Sequence, residues 1–104
     1  MAKIANMTLS DYQLDEVKSI TDFYADIAEN ILKVDGDYKF NPSKIYVSNN
    51  LYSEFEQLYV DQGVDRVGFA MVWLNIGPKT DESLEDNQVR VEDGFIERIE
   101  RKVV

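Results

Sequence analysis

The sequence predicts an α+β fold, with a small, mostly antiparallel sheet of three to four strands packed against one long N-terminal amphipathic helix and a shorter second helix. Apolar side chains recur at spacings of three and four from Leu14 to Leu32, the period of one buried helix face. Further along, short β-branched and aromatic segments alternate with turn residues. The connections between the later segments permit antiparallel pairing. A chain of 104 residues holds one core, because two would each bury too little surface to offset their conformational entropy. Residues 1–104 are therefore expected to form a single compact domain, with 1–8 flexible. At 44% apolar and 12% aromatic residues, the composition is that of a globular chain rather than a disordered one.

The first helix is expected to begin at Ser10, which with Gln13 fits a capping box, and Asp11 suits the positive end of the helix dipole. Leu14, Val17, Ile20, Tyr24, Ile27 and Ile31 form its core stripe, widened by Phe23, Ala28 and Leu32. Gly36, between Asp35 and Asp37, ends it. After the Asn41–Pro42 turn, residues 44–48 read as a short strand. Asn49 and Asn50 are placed to cap a second helix with Leu51, Phe55, Leu58 and Tyr59 on one face, and Gly63 fits its left-handed C-terminal position. Residues 67–76 are almost all apolar, which predicts a central strand, covered on both faces or flanked by a partner, and ended by Pro78. The polar stretch 79–88 holds four acids and reads as a mobile loop. Asp93 and Gly94 then suggest a hairpin between 89–91 and 95–99; a closing helix from Phe95 through Ile99 and Val103 is the competing reading.

Charge and missing residue types exclude several functions. Twenty acids against eleven bases give −9, which repels a phosphate backbone and anionic lipid alike, so neither nucleic acid nor membrane is an expected direct partner. Without cysteine there is no disulfide or thiolate metal site, and without histidine the commonest general base and metal ligand is gone. The stretch Asp35-Gly-Asp37 fails as a calcium loop: Lys39 stands at the third ligand position, Phe40 at the glycine and Tyr46 at the closing glutamate. No phosphate-binding glycine pattern occurs, and no apolar run has the length of a signal or membrane segment. No catalytic residue, cofactor or metal is expected. A cytoplasmic protein is.

What remains is acidic surface. Asp11, Asp15, Asp22, Asp26 and Glu29 fall on one helical stripe about 27 Å long at 1.5 Å per residue. Residues 8–37 hold eight acids and two bases, so less than a third of the chain carries −6 of the total charge. Asp81, Glu82, Glu85 and Asp86 add a second acidic group. Tyr12, Tyr52 and Tyr59 lie near acids in sequence, a composition suited to arginine-rich surfaces, and also suited to edging a core. The stripe reads either as a solvated face or as a docking face for a basic, nucleic-acid-binding surface of another protein.

In size, charge and lack of catalytic residues the chain is similar to the small phage, mobile-element and immunity proteins that act as inhibitors by nucleic-acid mimicry or by covering a basic site. No motif points to one family among them. The expected function is such an inhibitor. The alternative is an assembly subunit that self-associates through 67–76 or the final hairpin, or completes a sheet with a partner, and a carboxylate-based enzyme is the residual one.

Overall fold

The computed structural model of the chain describes residues 2–9, 12 and 15–99. The fold is α+β. Its elements are β1 (Lys3–Asn6), α1 (Glu16–Asp26), β2 (Tyr38–Phe40), β3 (Ile45–Val47), α2 (Asn49–Asp61), α3 (Arg66–Ile76), β4 (Lys79–Thr80), β5 (Gln88–Val91) and β6 (Ile96–Arg98). A four-stranded sheet runs in the order β1-β5-β3-β4, and β2 and β6 form a separate antiparallel pair. In the larger sheet only the β3–β4 pairing is parallel.

Alternation on the two central strands supplies the sheet side of the core. Ile45 and Val47 on β3, and Val89 and Val91 on β5, point inward at every second position and are fully or almost fully buried. The antiparallel register sets Ile45 opposite Val91 and Val47 opposite Val89. Against them pack Ile20, Phe23, Tyr24 and Ile27 from α1, Leu51, Phe55 and Tyr59 from α2, and Phe69 and Trp73 from α3. Ring contacts join the helices: Phe23 meets Phe55 edge-on at 5.2 Å between centroids, and Tyr59 meets Phe69 at 5.1 Å. Tyr24 donates from Oη to the Ile76 carbonyl at 2.6 Å, tying α1 to the end of α3. Burial, and then the neighbouring Tyr59, push the Tyr24 phenol far above its ordinary value, so it stays a donor.

Several elements differ from the sequence reading. Residue 3 to residue 6, expected to be flexible, pair with β5 along their whole length. The first helix starts at Glu16 with Asp15 at its N-cap, and the expected cap at Ser10 and Gln13, with Asp11 and Leu14, lies outside the described residues. Val17 is exposed rather than core: it shares the helical face of the buried Tyr24 and Ala28 but stands in the first turn of α1, at the end of the helix. Beyond Asp26 the helix widens into a π turn, Ile27–Ile31, with the Leu32 amide bonding back to the Ile27 carbonyl at 3.1 Å. At α2 the cap is Ser48, whose Oγ accepts from the Leu51 amide at 3.1 Å; Asn49 and Asn50 are already helical.

The largest departure is at 66–76, which is helix and not a central strand. Asp65 caps it by accepting from the Gly68 amide, and Gly63, at φ +95°, makes the tight reversal from α2. Phe69 and Trp73, one turn apart, are its buried anchors. An apolar run without polar interruption has the same appearance in a two-sided strand and in a helix apolar all round. At the far end Gly77 is required by packing: a Cβ there would lie 2.5 Å from Trp73 Cδ2 and 2.7 Å from the Trp73 carbonyl oxygen.

The C-terminal segments are strands, as expected, yet they do not pair with each other. Asp93 and Gly94 turn the chain, Phe95 is buried at the exit, and β6 leaves to join β2. A ring group of Tyr24, Phe40 and Phe95, with centroids 5.3–5.6 Å apart, holds that change of sheet. The expected mobile loop is a run of hydrogen-bonded turns: Asp81 accepts from the Ser83 amide and hydroxyl at 2.9 and 2.7 Å, and the Gln88 amide bonds to Glu85 at 2.8 Å.

Candidate partner-binding surface

α1 presents its carboxylates because the opposite arc is committed to the core. Asp15, Asp22 and Glu29 are exposed, and none enters an ion pair among the described residues. Steps of seven residues separate the three, about 10.5 Å each at helical rise. Asp26 is half-buried and accepts a hydrogen bond from the Tyr12 hydroxyl, which fixes its carboxylate at the edge of the stripe. Asp11 lies outside the described residues. Tyr12 stays at the acidic surface, whereas Tyr59 is fully buried and Tyr52 packs against Phe69 and Trp73, so those two belong to the core.

In the β4–β5 connection the four acids have different fates. Asp81 pairs with Arg90 at 2.9 Å, and its hydrogen bonds from Ser83, followed by the Arg90 charge, hold its carboxyl below the usual carboxylate range. Arg90 also lies 4.2 Å from the Tyr46 ring centroid and 3.8 Å from Glu92. Asp81 is thus engaged internally. Glu82, Glu85 and Asp86 are exposed.

The two acidic groups meet across Asn6, at the end of β1. One shallow depression of about 450 Å³ is lined by Asn6, Met7, Thr8, Tyr12, Asp22, Asp26 and Asn30. A second, of about 480 Å³, is lined by Asn6, Glu85, Asp86 and Asn87. Neither wall contains a base. The Met7 amide bonds to the Asn87 carbonyl at 2.8 Å, and Ser48 Oγ donates to the Asp86 carbonyl, so both halves are anchored to the sheet. Sequence spacing shows the acids and misses this junction, which depends on β1 pairing with a strand more than eighty residues away.

A second surface lies on the segment 67–76, expected as a strand that could self-associate and found as a helix. Opposite Phe69 and Trp73, the outer face of α3 exposes Val67, Met71 and Leu74 at 71%, 62% and 85%, with Ala70 between them. The helical context of the run would have exposed it, since residues 67, 70, 71 and 74 fall on one stripe only at a period of 3.6. A cavity of about 560 Å³ at the C-terminal end of α3 is walled by Trp73, Leu74, Asn75, Gly77, Pro78, Lys79 and the Asn41–Ser43 turn.

Among the described residues no three acids gather into a metal-binding group, and no helix is long and apolar enough to cross a membrane. The perturbed groups, Tyr24 and Asp81, both have structural causes given above. Comparison with protein-family models, with curated proteins and with solved structures finds no match for the chain.

Proposed function

We propose that this chain is a small, non-catalytic acidic binding protein of the cytoplasm, an inhibitor that docks on a basic, nucleic-acid-binding surface of a partner protein, in the manner of phage, mobile-element or immunity proteins. The observation that carries the reading is the junction at Asn6, which joins Asp22 and Asp26 to Glu85 and Asp86 on a surface whose two depressions contain no base. Asp15 and Glu29 extend it along α1, and Glu82 extends it along the turn. A field of one sign over such an area attracts a basic partner and speeds its encounter. Spaced carboxylates on a rigid helix can occupy the positions that phosphates take in a basic groove.

The test is capture from host lysate at low salt, followed by reconstitution with the purified partner. Asp15→Lys, Asp22→Lys and Glu29→Lys together are expected to weaken binding by ~100-fold or more, since like charges set against a basic site cost several kcal/mol. The partner's nucleic-acid binding is expected to fall as this chain is added. A partner bound equally well by the triple variant, or one whose affinity does not change with salt, refutes the reading.

A further inference from the structure

We infer that α3 is a self-association surface, and that two copies of the chain pair through it in antiparallel, two-fold fashion. The stripe of Val67, Ala70, Met71 and Leu74 lies directly opposite the buried side of α3 and carries no charge. A helix apolar on both sides is covered on both sides in most folds. Among the described residues, only one side of α3 is covered.

The ends of α3 decide the occupant. Its N-terminal end carries Asp65 as cap and Asp61 at the end of α2, while Arg66 is taken up by Glu56 at 3.5 Å. Its C-terminal end opens on a cavity whose wall contains Lys79 and no acid. An antiparallel pair brings the acidic end of each helix to the Lys79 end of the other, so the surface is complementary to itself. A two-fold axis midway between Ala70 and Met71 sets Val67 of one copy against Leu74 of the other. A parallel pair would instead place acids against acids. The uncharged stripe also lets two chains of −9 approach without opposing charges at the contact itself.

The size of the patch sets the strength. Apolar patches of this kind cover roughly 300–600 Å², below the ~800 Å² per partner of a standard stable interface, so the pair is reversible and concentration-dependent. Apolar burial holds it, and screening the overall repulsion favours it, so association persists when salt is raised.

Sedimentation equilibrium from micromolar to millimolar concentration reads this directly, and it requires no other partner. The wild-type chain is expected to shift from monomer to dimer over that range, in low and high salt alike. Leu74→Glu and Met71→Glu, both at exposed positions, are expected to stay monomeric with unchanged circular dichroism. Because the chain has no native cysteine, Val67→Cys mixed with Leu74→Cys is expected to give mainly the mixed cross-linked dimer under mild oxidation. A wild-type chain that remains monomeric throughout overturns the inference, as does a Leu74→Glu variant that dimerises equally well. Dominant 67–67 and 74–74 cross-links overturn the antiparallel arrangement.

Discussion

Replacing Ser48 with alanine removes one oxygen that serves two parts of the molecule. Its Oγ accepts from the Leu51 amide at 3.1 Å, capping α2, and donates to the Asp86 carbonyl in the acidic turn. The residue is 1% exposed, so water cannot take over the cap without the structure opening. Loss of an N-cap costs about 1 kcal/mol, and loss of a neutral hydrogen bond to a partly buried carbonyl about another 1 kcal/mol. The expected destabilisation is therefore about 2 kcal/mol. For a domain near 100 residues that lowers Tm by ~8–16 °C. Urea denaturation followed at 222 nm measures it, with Ser48→Thr, which keeps the oxygen, expected to recover most of the loss. Ser83→Ala, which removes only an exposed turn bond, is expected to change stability by less than about 0.5 kcal/mol. A Ser48→Ala variant within ~0.5 kcal/mol of wild type would show that the cap and the turn anchor contribute little.

Other expectations concern the core, the turn and the pH response. Gly77→Ala forces a methyl against Trp73 and its carbonyl, and is expected to cost about 1–3 kcal/mol in the same assay. Ile20→Ala is expected to cost about 2–5 kcal/mol while Val17→Ser, at an exposed position in the first turn of α1, stays within about 0.5 kcal/mol. Asp81, with its folded pKa below the unfolded value, binds fewer protons when folded, so its contribution to stability is present above the usual carboxylate pKa and is lost as pH falls through the folded one. Asp81→Asn is accordingly expected to make acid unfolding below about pH 4 less steep, as measured by circular dichroism across a pH series.

The parts of the fold written in local pattern were legible, and those written in long-range pairing were not. Ile20, Phe23, Tyr24 and Ile27 announce a buried helix face by spacing alone, and Ile45 to Val47 announce a strand by alternation and branching. The start of α1 is ambiguous in sequence, because serine and aspartate, at positions 10 and 15, are both residue types that favour an N-cap and local chemistry does not choose between them. Residues 67–76 read as a strand in sequence because a second apolar face erases the contrast on which periodicity depends. Phe95 shows the limit for hairpins: the Asp93–Gly94 turn is visible, but which sheet receives β6 depends on rings from α1 and β2. The acids of the binding surface were visible one by one, and their joining across Asn6 was not, because it rests on the pairing of the first and last strands of the larger sheet's antiparallel half.

Trp73 is the chain's sole tryptophan, and its setting makes it an internal optical reporter. Its indole is 8% exposed and lies 5.1–5.6 Å, centroid to centroid, from Tyr52, Phe55 and Phe69, while its other edge forms a wall of the cavity beside Leu74. Unfolding releases the ring to water and moves its emission strongly to the red. A ligand seated in the cavity at the end of α3 removes only the last contact with solvent, giving a small shift to the blue. One fluorophore thus separates loss of the fold from occupation of its surface, with no label attached.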